Sequence, residues 1–213
     1  MVLKKNNALK EMNTLNSVGY LELFIGPMWS GKTSELVKLY KRYKFFEVPV
    51  LAINYKHDIR YNNGEDNTIC SHDLVNIPCN TCVRLDEVCD IVNGNTTHAF
   101  DNSQVILINE CQFFKDVVQW VKCAVQVYNK QVFICGLDGD YKREVFGDWL
   151  TLIPFCDRVT KLHSLCGGCK QNDAIFTHRN TDVNVQELIG NDMYRPLCRK
   201  CYEEYNIVKH ENC

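Results

Sequence analysis

One eight-residue stretch constrains this chain more than any other: Gly26-Pro27-Met28-Trp29-Ser30-Gly31-Lys32-Thr33. It fits the pattern G-x-x-x-x-G-K-[ST] at every fixed position, and its surroundings fit as well. An apolar run over residues 20–25 leads in as a strand, and a helical run from Thr33 to about Lys44 leads out. A loop of this kind turns its backbone N–H groups onto phosphate oxygens at the positive end of the following helix. Lys32 would reach the outer phosphates, and the Thr33 hydroxyl would ligate magnesium. The bland alternative, a glycine-containing turn that binds nothing, requires motif and context to coincide by chance.

The rest of the chain keeps the rhythm this start implies. Leu36, Leu39, Tyr40 and Tyr43 recur at helical spacing, and residues 48–53 form a short β-branched strand with Pro49 near its start, where proline is tolerated. Residues 85–92 read as a helix ending at Asn93-Gly94. Residues 104–108 are a continuous apolar run, the mark of a strand buried on both faces. A helix over 116–127, a buried strand over 131–135 and a last strand over 158–163 follow. This alternation predicts an α/β fold, a P-loop NTPase-like parallel sheet with helices on both faces. Ligands in such sheets bind beyond the carboxyl ends of the strands, where the P-loop, Asn109-Glu110 and residues 138–141 all fall. A carboxylate at a strand tip opposite a P-loop holds or orients magnesium, although a polar pair there also suits a plain turn.

Other segments say less. Residues 54–70 are polar and turn-rich, so composition makes them a solvated surface loop, despite the charged and aromatic run Lys56-His57-Asp58-Ile59-Arg60-Tyr61. The contiguous Ser71-His72-Asp73 does not build a catalytic triad, whose members converge from separate elements. No run of about 18 apolar residues is present to span a membrane. Residues 1–17 are polar, without the apolar core of a secretory signal, and so a cytoplasmic location is expected. The net charge of −2, with acids and bases interspersed, shows no basic stripe for nucleic acid.

The 13 cysteines then read as reduced. Cys70, Cys79, Cys82, Cys89, Cys111, Cys123, Cys135, Cys156 and Cys213 are scattered as small hydrophobes, and the Cys79/Cys82 pair has no second pair near it. By contrast, Cys166-Gly167-Gly168-Cys169 is matched by Cys198-Arg199-Lys200-Cys201. Two such pairs supply four thiolates for a tetrahedral structural zinc, with no position left open for catalysis. The spacing between them is long, so an arm must loop out. A unit this small lacks a core of its own, and the metal would supply its folding energy.

Taken in order, these motifs resemble the cytosolic, zinc-containing, tetrameric class of thymidine kinases from about Gly19 to Tyr202. The residues that carry the likeness are the P-loop, the stretch from Lys56 to Tyr61, Asn109-Glu110-Cys111-Gln112-Phe113-Phe114, Leu137-Asp138-Gly139-Asp140-Tyr141 with Phe146-Gly147, and the paired cysteines. The resemblance implies that ATP and magnesium are held by Gly26, Pro27, Met28, Trp29, Ser30, Gly31, Lys32 and Thr33, with Asp58, Arg60, Asn109 and Gln112. Glu110 would be the general base toward the sugar 5′-hydroxyl, with Lys32 and Arg60 supporting the phosphates. Met28, Phe113, Leu137, Tyr141 and Phe146 would wall the thymine pocket. The arm between the cysteine pairs would be a substrate-covering lasso, in which Gln186, Glu187, Leu188, Ile189 and Gly190 meet the base through main-chain groups and Tyr194 packs near the sugar. The implied partners are deoxythymidine and ATP, with dTTP as feedback inhibitor and a homotetramer as the assembly; neither nucleic acid nor membrane is implied.

The expected division is a lead-in over 1–18, a kinase domain over 19–163, a zinc-ribbon and lasso unit over 164–202 and a tail over 203–213. Three departures from the family pattern matter. Asn109 stands where the family has Asp, which brings no charge and is expected to weaken magnesium binding or slow turnover without loss of fold. Tyr141 stands where Phe is common and adds a hydroxyl that needs a partner. The arm is one residue shorter near Gly190-Asn191. Two other readings compete: a zinc-ribbon ATPase on nucleic acid, which lacks its basic surface, and a nucleotide-binding protein that has lost catalysis through Asn109, which leaves the retained Lys32 and Glu110 unexplained.

Overall fold

The computed structural model describes residues 18–58, 67–181, 183–188, 190 and 193–210, with side chains described as far as 206. Its centre is a six-stranded sheet. The strands are β1 (Tyr20–Gly26), β2 (Val50–Tyr55), β5 (Asn80–Cys82), β6 (Val105–Ile108), β7 (Gln131–Leu137) and β8 (Arg158–Lys161). They lie in the order β5-β2-β6-β7-β1-β8, and every pairing is parallel. Parallel strands of this kind are covered on both faces, and the side chains divide accordingly. Leu21, Leu23, Ile25, Ile106, Ile108, Val132 and Ile134 pack into one core cluster. Their alternates Phe24, Val105, Leu107, Phe133 and Cys135 pack into the other.

Each face has its helix. Helix α1 (Lys32–Phe45) starts at Gly31, whose φ of 82° is the left-handed conformation that glycine adopts without strain. It buries Leu36 and Val37 in the second cluster. After a short helix α2 (His98–Asn102), helix α3 (Val117–Gln126) covers the first cluster with Val117, Trp120, Val121, Ala124 and Val125, one stripe at helical spacing.

Register sets where the site forms. Gly26 lies opposite Leu137, while Ile108 lies opposite Ile134 and Ile53. Strand β6 therefore stops short of the edge that β1 and β7 reach. The residues after it, Asn109 and Glu110, turn into the space left beside the P-loop.

Two expectations for the first domain are corrected. Residues 85–92 are not one helix but two 3-10 turns, Leu85–Glu87 and Ile91–Asn93. The carbonyl of Cys89 accepts the Trp120 indole N–H at 2.8 Å, and Asp90 leaves the helical region at φ −84° and ψ 57°. Residues 54–70 are not wholly a surface loop either. β2 continues through Asn54 and Tyr55, both buried, and β3 (Thr68–Cys70) pairs with β4 (Asn76–Pro78) in a hairpin. Residues 59–66 lie outside the described part.

The cysteine pairs sit in a small unit of two two-stranded ladders. β9 (Ser164–Leu165) pairs with β10 (Asp173–Ala174), and β11 (Phe176–Arg179) pairs with β12 (Tyr194–Leu197). Helix α4 (Arg199–His210) starts inside the second pair. No described helix is long and apolar enough to cross a membrane.

Trp120 is buried, stacks edge-on against Phe100 and anchors the Cys89 carbonyl. Replacing it by alanine should cost about 3–5 kcal/mol, measured by urea unfolding, because it removes one of the two tryptophans of that core together with a buried hydrogen bond.

Candidate active site

The P-loop is built tightly. Gly26 has φ 152°, and a Cβ there would lie 2.4 Å from the Leu162 carbonyl oxygen. The Ser30 hydroxyl donates to Pro27 O at 2.8 Å, and the Lys32 ammonium donates to the same oxygen at 2.6 Å. Residues 28–34 line a cavity of about 490 Å³ together with Asp58, Cys70, His72, Glu110 and Leu137. Gly26 and Pro27 form the base of the loop rather than this lining. Trp29, 40% exposed, stacks on His72 with ring centroids 4.2 Å apart.

The tip of β6 closes the cavity. Asn109 is 1% exposed, and its Oδ1 accepts from the Thr33 hydroxyl at 3.3 Å and the Cys135 thiol at 3.0 Å. Its Nδ2 donates to Asn54 Oδ1 at 2.9 Å. Glu110, 6% exposed, has φ 56°, an uncommon conformation for a residue with a side chain. Gln112 holds it there. The Gln112 Nε2 donates to the Glu110 carboxylate at 2.5 Å, while its Oε1 accepts from Leu137 N at 3.0 Å. Gln112, expected beside the phosphates, thus lines the neighbouring cavity and ties Glu110 to the end of β7.

That neighbouring cavity, of about 540 Å³, is mainly apolar. Met28, Phe113, Leu137, Tyr141 and Phe146 wall it. Phe113 stacks on Tyr55 at 4.8 Å and meets Phe146 edge-on at 5.3 Å. Gly147 brings Phe146 in close, with φ 68° and a Cβ position only 2.4 Å from Gln112 O. Gln186, Glu187, Leu188, Gly190 and Tyr194 of the arm line the same space, whereas Arg60 and Ile189 lie outside the described residues.

Sequence reasoning missed the residues that hold the arm. Arg179, at the end of β11, is 2% exposed. Its guanidinium lies 3.8 Å from the Tyr141 ring centroid and 5.1 Å from that of Tyr194. It donates to the arm carbonyls of Val183 at 3.0 Å, Gln186 at 2.8 Å and Val185, and to the Tyr194 hydroxyl at 2.7 Å. Two positions earlier, the Thr177 hydroxyl accepts from Met28 N at 3.0 Å and joins β11 to the P-loop. Tyr55, His57 and Asp140 also line the cavity. The extra Tyr141 hydroxyl finds its partner in Asn184 Oδ1 at 3.1 Å, and Gln186 Nε2 donates to Asp140 at 2.9 Å. The sequence signal for Thr177 and Arg179 was only their alternation on a strand leading into the arm.

At the root of the arm, the sulfurs of Cys166, Cys169, Cys198 and Cys201 lie within 4.8 Å of one another. Tetrahedral zinc at about 2.3 Å from each sulfur needs sulfurs about 3.8 Å apart, so the set fits. Burial works against the Cys166 thiolate, but N–H groups of Cys198, Cys169 and Gly168 outweigh it and bring the thiol down to about 6. On the phosphate side, the Thr33 hydroxyl and the Asp58 carboxylate supply oxygen donors that suit magnesium.

Comparison with known proteins agrees with this geometry. A profile of the family described as thymidine kinase matches residues 19–202. A thymidine kinase of Sheeppox virus (strain KS-1) is 37% identical over 185 residues, covering 86% of this chain and 97% of that protein. The thymidine kinase of Choristoneura fumiferana entomopoxvirus is 34% identical over 191 residues, covering 88% and 98%. That of Rabbit fibroma virus (strain Kasza) is 32% identical over 184 residues, covering 86% and 96%. The chain belongs to the thymidine kinase family.

Proposed function

We propose that this protein is a thymidine kinase that transfers the γ-phosphate of ATP to the 5′-hydroxyl of deoxythymidine, giving dTMP. One observation carries the reading: Glu110 lines both cavities, the polar one at the P-loop and the apolar one under the arm. Phosphoryl transfer needs an acceptor hydroxyl and a phosphate chain aligned across a shared boundary, more than it needs covalent chemistry. A carboxylate at that boundary is placed to take the hydroxyl proton.

The other residues follow from this division. Lys32 and the P-loop N–H groups meet the phosphates, with Arg60 in the same role. Magnesium bound with ATP would neutralise phosphate charge, held through Thr33 and the Asp58 carboxylate, so that Glu110 acts as base rather than as a metal ligand. Gln112 keeps the Glu110 carboxylate oriented while that group holds the proton. Met28, Phe113, Leu137, Tyr141 and Phe146 receive the thymine ring. The arm backbone from Gln186 to Gly190, held by Arg179 and rooted in zinc, closes over it and excludes water. A homotetramer, inhibition by dTTP and a cytoplasmic location belong to the same proposal. The retained Glu110 at the boundary counts against a nucleotide-binding protein without catalysis.

Three measurements check the reading. Glu110→Gln should lower kcat for deoxythymidine by about 10²–10⁴-fold with little change in KM, the loss expected for a general base; undiminished turnover would refute that role. Arg179→Met should raise KM for deoxythymidine at least tenfold while ATP affinity stays within twofold, because the arm carbonyls lose their shared donor; parallel loss of both affinities would mean a general folding defect. Zinc stripped by chelation, followed by metal analysis and circular dichroism, should unfold the cysteine unit and abolish deoxythymidine binding, since the metal supplies that unit's folding energy.

A further inference from the structure

Asn54 and Asn109 occupy equivalent positions near the carboxyl edge of neighbouring strands. Ile53 and Ile108 are in register, and Asn109 N donates to Ile53 O at 2.9 Å. Asn54 is 3% exposed and Asn109 is 1% exposed, and their amides meet at 2.9 Å. The sense of that bond is fixed from outside the pair. Thr68 O and the Asp58 carboxylate only accept, which turns the Asn54 NH2 toward them; the Asn109 NH2 therefore faces the Asn54 oxygen, and the Asn109 Oδ1 accepts from Thr33 and Cys135. Burial pushes the Cys135 thiol up to about 12, which keeps it protonated and able to donate. The Asn54 NH2 reaches Asp58 Oδ2 at 3.5 Å and Thr68 O at 3.4 Å.

From this we infer that Asn54 is a positioning residue for the phosphate side, matched to Asn109 as a neutral buried pair. It orients Asn109 toward Thr33 and Asp58 toward the two cavities. Asn109 is therefore not simply an aspartate short of its charge. This inference deepens the proposed phosphoryl transfer and rests on it.

The pairing makes a specific statement about the substitution that the family pattern invites. An aspartate at position 109 would still accept from Thr33 and Cys135. Its second oxygen would then face Asn54 Oδ1, two acceptors with no proton between them. Turning the Asn54 amide over moves the conflict to Asp58 and Thr68 O. Either arrangement sets two acceptors face to face and adds negative charge beside Asp58 and Glu110. With the Asn54 amide removed, the conflict disappears.

The test is a four-protein cycle on the full chain: parent, Asn54→Ala, Asn109→Asp and the double variant. ATP affinity is measured by calorimetry with and without magnesium, alongside melting temperature. The expected result is coupling. Asn109→Asp weakens magnesium-dependent ATP binding tenfold or more when Asn54 is present, and at least tenfold less severely when combined with Asn54→Ala, while ATP affinity without magnesium changes little. Asn109→Asp that folds only in combination with Asn54→Ala also supports the pair. Equal improvement of magnesium-dependent binding in both backgrounds, equal weakening in both, or unfolding in both, would overturn it. Deoxythymidine phosphorylation by the parent is assayed separately. Its absence would remove the kinase reading, whereas the binding and melting cycle would still decide the pairing.

Discussion

The arrangement depends on the parallel register of three strands. Because Gly26 pairs with Leu137 while Ile108 pairs with Ile134, β1 and β7 reach the sheet edge and β6 does not. The P-loop leaves from one side of that step, and Asn109-Glu110 turns into it. The apolar residues that fix this register are buried in two clusters, one on each face. A slip by one residue would exchange the faces of every side chain in a strand. The site is thus specified by the core beneath it.

From that step the chemistry divides cleanly. On one side lie N–H groups, a lysine and hydroxyl and carboxylate oxygens, and on the other lie aromatic rings and an arm of backbone carbonyls. Glu110 stands between them in a left-handed conformation, held by Gln112 to the end of β7. Such backbone conformations persist where surrounding structure over-determines them. The arm is fixed by a different device. A single guanidinium, held between Tyr141 and Tyr194, gathers three carbonyls and a hydroxyl. Charge-assisted bonds of this type contribute about 1.5–3 kcal/mol each, enough to hold a short segment that has no sheet of its own.

What the sequence made legible was what backbone geometry or metal chemistry demands locally. The P-loop, the strand tip at Asn109-Glu110 and the two cysteine pairs each need particular residues at particular spacings, and all were found where expected. What it hid was decided by contacts between distant segments. The helix expected over 85–92 gives way because Trp120, on another element, takes the Cys89 carbonyl. Asn54 reads as the start of a loop, yet it is a buried residue of β2, its amide satisfied by Asn109 and Asp58. Thr177 and Arg179 look like ordinary strand residues until the fold brings β11 beneath the P-loop and the arm.

A crystal structure with deoxythymidine and an unreactive ATP analogue bound together would decide whether Glu110 meets the acceptor hydroxyl. The thymine ring is expected between Phe113, Phe146 and the arm backbone, the triphosphate on residues 26–33, and the 5′-oxygen within about 2.6–3.2 Å of the Glu110 carboxylate. A nucleoside whose 5′-oxygen lies away from Glu110, or a base outside the cavity under the arm, would contradict this arrangement.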